Sequence, residues 1–399
     1  MRLPRAHTHR AGRRLFCATA VLTVLAFTTP ALADPAWPLD DRHLHAEQAW
    51  QISQGDGVLI AVVDTGVAAD HPDLAGQVRT GTGFVGLAGD QGTTDVSADS
   101  HGTSVAAIIA GTGASSNGSG VKGLAPRASI LPIRVSLQND VEAGTVAQAI
   151  AYAADHGAKV INISLGTPDP DPALRAAVKY AQDRDCVIVA SAGNTGRESN
   201  EPMYPASFPG VINVTGVGTD YRFWPRSQSG SGSSIAAPAT DIRSANNKGQ
   251  YVRTEGTSYS AAYVSATAAL VRARYPQLTA AQVVRQLVDT AKPQGPHDQY
   301  GHGILDPLNA VSRAPDTVHT DNPLTAAPNA DGSSSPVLLI VSAGSAVVMT
   351  AAGGWWLTRR RRAKAPVPAP IASKPRSPRA PAASPPRQRS KSKTKARRR

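Results

Sequence analysis

The chain has 399 residues, 41% of them hydrophobic and 18% charged, which leaves room for two or three average domains or one large α/β domain. Its net charge is +12, but residues 359–399 hold 16 Lys/Arg and residues 1–33 hold five Arg, neither with an acid, so residues 34–358 carry −9. That acidic middle argues against a basic nucleic-acid-binding body.

Taken from the N-terminus, arginines up to Arg13 and Arg14 precede the uncharged run "LFCATAVLTVLAFTTP", and "ALA" ends at Ala33. A charged n-region, an apolar h-region and a small-residue cleavage site predict a signal peptide over residues 1–33. "RRLF" is compatible with twin-arginine as well as general export. Of the two cysteines, Cys17 leaves with the signal; Cys186, in the apolar run "CVIVA", then has no partner for an intramolecular disulfide and reads as buried filler. Residues 34–56 are expected to pack on the body as a short N-terminal extension.

From residue 57 to residue 312 short apolar runs alternate with helical stretches. "VLIAVV" (58–63) ends in "DTG"; "SILPIRV" (129–135) leads to "AGTVAQAIAYAADHGA", whose apolar residues repeat at helical spacing. "KVINISLG" (159–166), "DPALRAAVKYAQDRD", "CVIVASAGN", "VINVTGV" (211–217) and the helical "TAAQVVRQLVDTA" follow. Continuous Val/Ile runs between helices predict strands buried on both faces of a parallel sheet. In such sheets ligands bind beyond the carboxyl ends of the strands. Here those ends carry Asp64, Ser164 to Gly166 and Asn194.

Beyond the body, residues 313–335 are rich in Pro, Asn, Asp, Ser and Ala and read as a flexible linker. Residues 337–357, "VLLIVSAGSAVVMTAAGGWWL", are 21 uncharged residues, long enough to span a bilayer as a helix. Trp355 and Trp356 fall at an interface position, and the arginines at 359–362 predict that the tail stays cytoplasmic with everything before it outside. Residues 358–399, basic and Pro/Ser-rich, lack the apolar content to fold alone; they are expected to hold topology and lean on anionic lipid.

Singly, the chemical residues have ordinary readings. Asp64 at a strand end is a turn residue, His101 in "SHGTSVAAIIAG" a packed side chain, and Ser258 in "EGTSYSAAYVSATAAL" a helix-start serine. Together they have another. A serine hydroxyl becomes a nucleophile when an imidazole takes its proton, and the imidazole needs a carboxylate to set its tautomer and stabilise its cation. The chain order Asp, His, Ser is that of subtilisin-type enzymes.

The blocks "VVDTGV", "SHGTSVAAIIAG" and "GTSYSAAYVSATAAL" resemble the three catalytic blocks of the subtilisin family of serine proteases, with "HPDL", "GLAP", "VINISLG", "ASAGN" and "YGHGILDPLNA" in family order over residues 57–310. The resemblance implies a subtilisin-like α/β sandwich with a mainly parallel seven-stranded sheet, and peptide-bond hydrolysis. It makes Ser258 the nucleophile, His101 the general base and acid, Asp64 its orienting carboxylate and Asn194 the oxyanion-hole amide. It also makes Ser164, Leu165 and Gly166 the edge that pairs with an extended polypeptide substrate, and leaves Ser260 and Ser265 to packing. Where the family commonly has proline four residues after the nucleophile this chain has Ala262, for which altered helix packing and retained activity are expected. Residues 34–63 leave no room for a folding prosegment of several dozen residues. No cofactor is expected; many subtilases bind structural calcium, but the acids in "GDQGTTDVSADS" (89–100) lack a defensible ligand spacing, and this stretch reads as a solvated loop.

The order of signal, short extension, catalytic domain, Pro-rich linker, single membrane helix and "GTSYSAAYV" resembles the mycosins, membrane-anchored subtilases of actinobacterial type VII secretion systems. That resemblance implies substrate processing at the cell surface and support of the secretion complex. The alternative is a mainly structural subunit of that complex with dispensable protease activity.

Overall fold

Strands buried on both faces need helices above and below, and the chain supplies them alternately. The computed structural model describes residues 37–325 apart from 87–88, 116–119 and 139. The signal peptide, the spanning segment 337–357 and the basic tail read from the sequence lie outside the described residues. Among the described residues no helix is long and apolar enough to cross a membrane.

The elements are α1 (Ala46–Ile52), β1 (Leu59–Asp64), β2 (Thr82–Gly83), α2 (His101–Ala110), β3 (Ser129–Arg134), α3 (Ala143–Asp155), β4 (Val160–Ile163), α4 (Pro172–Gln182), β5 (Val187–Ser191), β6 (Ile212–Val217) and β7 (Ile235–Pro238). The antiparallel pair β8 (Ile242–Ala245) and β9 (Tyr251–Thr254) follows, then α5 (Thr257–Arg274), α6 (Ala280–Thr290), α7 (His297–Tyr300) and α8 (Pro307–Ser312). Among the described residues seven strands form one sheet in the order β2–β3–β1–β4–β5–β6–β7, every pair parallel.

Side chains of one strand alternate between two cores, as a period of two requires. Ile60 and Val62 of β1 face a cluster shared with α2, α5 and α6, whereas Ala61 and Val63 face one shared with α3 and α4. The result is a three-layer α/β sandwich on a parallel sheet, as the alternating pattern predicts, with the seven strands that the family resemblance implies. Helix α5, built largely of Ala, Ser, Thr and Val and buried over nearly its whole length, lies against the sheet rather than on the surface. Cys186 is buried and its thiol donates to the Ala158 carbonyl; burial pushes its pKa up to about 11, so it is an inert core residue.

β1 has β3 on one side and β4 on the other, so the chain leaves β1 and β4 in opposite directions across the sheet. That makes their carboxyl ends the topological switch point where α/β sheets hold their ligands. The extension and the start of the Pro-rich segment both rest on the body. The Trp50 indole donates to the Leu124 carbonyl and lies under the Lys122 ammonium. Within residues 313–325, Gln286 donates to the Arg313 carbonyl, Gln282 to the Thr317 carbonyl, and the Gly210 N–H to the Leu324 carbonyl.

Candidate active site

Asp64 is the last residue of β1 and His101 the first of α2. The imidazole Nδ1 lies 2.7 Å from Asp64 Oδ1, which also accepts the Thr65 N–H at 2.8 Å. Asp64 is wholly buried and its Oδ2 has no hydrogen-bond partner. A neutral ring that donates from Nδ1 keeps its lone pair on Nε2, the form a general base needs. The helix comes this close because residue 102 is glycine. A β-carbon there would lie 3.2 Å from Asp64 Cβ and Oδ1 and closer still to the Gly66 carbonyl oxygen.

The first turn of a helix leaves N–H groups without intrahelical acceptors, and in α2 three loop side chains supply them. His101 N–H donates to Ser97 Oγ at 3.3 Å, Gly102 N–H to Thr65 Oγ1 at 3.0 Å, and Thr103 N–H to Asp95 Oδ2 at 3.0 Å. Asp95 further accepts the hydroxyls of Thr65, Ser97 and Thr103. Here the structure corrects the reading of residues 89–100 as a solvated loop. Asp95 is 5% exposed and ties the loop, β1 and α2 into one network behind the His101–Asp64 pair. Burial raises its pKa despite those donors. Nothing local marks Asp95 in the sequence; its partners are assembled by the fold.

Ser258, the second residue of α5, is 4% exposed, and its hydroxyl donates to the Ser164 carbonyl at 3.0 Å. Ser260 and Ser265 are wholly buried: the first donates to the Ala237 and Pro238 carbonyls, the second to Asn162 Oδ1. Asn162 in turn donates to Ser164 Oγ, which donates to the Ser258 carbonyl. The serines beyond the first thus fasten α5 to the sheet, Ser260 to the end of β7 and Ser265 to β4. Ala262, where the family's proline stands, is a buried interior residue of the same helix.

Asn194 follows β5. Its Oδ1 accepts both the N–H and the hydroxyl of Thr257, at 2.9 and 3.0 Å. Two donors on one oxygen settle the orientation of the amide and leave its NH₂ uncommitted to them. Asp99, His101, Ser164, Leu165, Gly166, Asn194, Glu255, Ser258 and Tyr259 all line one open cleft of about 390 Å³. Every site residue expected from the sequence therefore lines this cleft except Asp64, which stands buried behind His101.

Among the described residues no group of three His, Cys, Asp or Glu could hold a metal ion. The buried Asp73 carboxylate of "HPDL" is occupied by donors instead, from the Ser115 and Val121 N–H groups and the Tyr251 hydroxyl.

Burial opposes a charge on His101, but the Asp64 carboxylate, by its charge and its hydrogen bond, and then the charges of Asp99 and Asp95 outweigh it. The imidazole pKa therefore lies above the ordinary 6.5. If His101 is the base, kcat/KM falls as pH drops through that raised value, because protonation removes the Nε2 lone pair. Replacing Asp99 by Asn takes away one charge that favours the imidazolium, so the acid limb of a pH–kcat/KM profile moves to lower pH. An unmoved limb would exclude that coupling.

Against this geometry the comparisons with known proteins are decisive: residues 55–303 match the family model described as the subtilase family, peptidase S8. The chain belongs to the subtilase family. It is thereby one of the subtilisin-type serine endopeptidases. Thermitase of Thermoactinomyces vulgaris is 41% identical over 231 residues, covering 57% of this subtilase and 79% of the relative. Mycosin-3 of Mycobacterium tuberculosis is 36% identical over 363 residues, covering 74% and 75%. Among solved structures, the serine protease MycP1, an essential component of the type VII (ESX-1) secretion system, matches with a TM-score of 0.60 at 32% identity. That match covers 68% of this chain and 87% of MycP1.

Proposed function

We propose that this subtilase is a membrane-anchored, extracytoplasmic endopeptidase in which Asp64, His101 and Ser258 form the catalytic triad. The single observation that carries the reading is the buried Asp64–His101 hydrogen bond opening on the same cleft as Ser258 and Asn194. In the free enzyme the Ser258 hydroxyl rests on the Ser164 carbonyl. With an extended peptide along 164–166, the hydroxyl turns about its Cα–Cβ bond toward His101. Nε2 takes the proton as Oγ bonds to the scissile carbonyl carbon, and Asp64 stabilises the imidazolium. The carbonyl oxygen, now an oxyanion, accepts from the Asn194 amide and the Ser258 N–H. His101 then gives its proton to the leaving amine as the C–N bond breaks. Water, deprotonated by His101, adds to the acyl ester carbonyl, and His101 returns that proton to Ser258 Oγ as the ester C–O bond breaks and the acid product leaves.

The placement of that chemistry comes from the chain's order: a signal over 1–33, an extension over 34–56, the peptidase domain over 57–312, a linker over 313–335, a spanning helix over 337–357 and a cytoplasmic basic tail over 358–399. The same order, and the kinship with Mycosin-3 and MycP1, support a role beside a type VII secretion complex, with secreted polypeptides as substrates. The −9 of residues 34–358 supports no nucleic-acid partner.

A membrane-impermeant fluorophosphonate tests chemistry and topology together. Intact cells expressing the full chain should give a labelled protein, the label mapping to Ser258. Labelling only after lysis would overturn the extracytoplasmic placement. A folded protein unlabelled in both would overturn the triad and favour the alternative, a mainly structural subunit of a membrane secretion complex whose protease activity is dispensable.

A further inference from the structure

The loop that precedes His101 reaches all three members of the proposed triad at one remove. Its start is pressed onto the turn after β1: a β-carbon on Gly66 would collide with the Thr94 carbonyl oxygen. The Arg134 guanidinium, at the end of β3, donates to that same carbonyl at 2.9 Å. Asp95 Oδ1 accepts the hydroxyl of Thr65, the residue joined to Asp64, at 3.1 Å. Its Oδ2 accepts the N–H and the hydroxyl of Thr103, in the first turn of α2, at 3.0 and 2.7 Å. Ser97, whose own N–H and hydroxyl donate to Asp95 Oδ1, accepts the His101 N–H. One buried carboxylate thus joins the Asp64 turn to the His101 helix.

The third connection comes from the nucleophile's side. The β8–β9 hairpin leads through a short turn into α5, where Ser258 stands. From the tip of that hairpin the Asn247 amide donates to two carbonyls of the loop, those of Asp95 and Ser97, at 2.9 Å each. The hairpin also grips α2 itself. The Ser104 hydroxyl donates to the Ala245 carbonyl at 2.8 Å, and the Ser244 hydroxyl to the Ser104 carbonyl at 2.7 Å.

Between the loop and His101 lies Ser100, with φ 60° and ψ 35°. A residue with a β-carbon takes this left-handed conformation at a free-energy cost and keeps it only where its surroundings impose it. Asp95 and Ser97 bond on both sides of it. We infer that Asp95 and Asn247 are positioning residues of the proteolytic reaction: through residues 95–97 they hold the strained turn at Ser100 and so keep the His101 imidazole in line with both Asp64 and Ser258. Neither touches the reacting atoms. The inference rests on the proposed triad and adds to it the parts that align it.

Two variants of the full-length protein test this. Asparagine at 95 keeps one acceptor oxygen but turns an NH₂ toward groups that are themselves donors, so half of the network fails. Asn247→Ala removes the clasp from a half-buried side chain and changes no charge, which separates alignment from electrostatics. Each is read as kcat and KM on a peptide substrate, beside a thermal melt by circular dichroism. Folded Asp95→Asn should lose about 10²-fold in kcat and Asn247→Ala about 10-fold, the scale of an ångström-sized misplacement of a catalytic group. KM should not change, because an interaction felt only in the chemical step lowers kcat and kcat/KM together. The double variant should lose no more than Asp95→Asn alone, since the clasp then grips a loop already released.

Wild-type kcat in either folded variant overturns the inference. So does a raised KM at unchanged kcat, or a double-variant loss equal to the product of the single losses. If Asp95→Asn does not fold, Asn247→Ala decides by itself. Folded wild-type protein that a fluorophosphonate does not label at Ser258 is a separate result, and overturns the triad.

Discussion

Replacing Ser258 by Ala should leave a folded protein whose kcat on a peptide substrate is lower by about 10⁶, the scale lost when the nucleophile of a triad is removed. The size follows from the lack of a substitute. Ser164, also in the cleft, is already committed, donating to the Ser258 carbonyl and accepting from Asn162. Ser260 and Ser265 are buried against the sheet. Folding should survive because the Ser258 hydroxyl makes one hydrogen bond, to a carbonyl that lines the open cleft, and losing such a bond costs about 1 kcal/mol. Steady-state hydrolysis beside a thermal melt by circular dichroism checks both halves. A Ser258→Ala protein within tenfold of wild type would remove Ser258 from the chemistry.

Asp64→Asn is the second large effect, a loss of about 10⁴ in kcat near neutral pH. The carboxylate makes two contributions that an amide cannot both reproduce. It accepts from His101 Nδ1, holding the tautomer with a free Nε2, and its charge stabilises the imidazolium formed in the transition state. It also favours the charged ring in the free enzyme, so whatever activity remains in the variant should show its acid limb at lower pH than wild type. Asn is nearly isosteric and Oδ2 has no hydrogen bond to lose, which separates this loss from unfolding. Equal kcat in wild type and variant across the pH range would show that the Asp64–His101 pair is structural.

The strongly periodic parts of the fold were legible. β1, β3, β4, β5 and β6 follow the Val/Ile runs, and α3, α4 and α6 follow the helical spacings, with ends shifted by a few residues. The weaker elements were not. β2 is two residues long, and β7, "IAAP", is alanine-rich and ends in proline, a composition with little β preference that an edge strand tolerates. β8 and β9 are four residues each, defined by their pairing with one another. At the site, Asp64, His101 and Ser258 stand in motif blocks. Asn194 stands at a strand end and takes its expected role only from the family resemblance, and here it also caps the start of α5 by accepting from Thr257. Asp95 gave no sign of its role, because its donors come from Thr65, Ser97 and Thr103, and only the folded loop brings them to one carboxylate.

By itself, the sequence determined the α/β class and the family and named the candidates for the chemistry, since each is written in local period or in a short contiguous block. The tertiary structure alone decided which residues meet. Asp64, Ser164 and Asn194 lie far apart in the chain, and their approach follows from β1, β4 and β5 being neighbours in a parallel sheet whose carboxyl ends share one edge. The network behind His101 belongs to the same class. It depends on how side chains from separate segments fill a shared space, a property of volumes and distances in three dimensions that no spacing along the chain encodes.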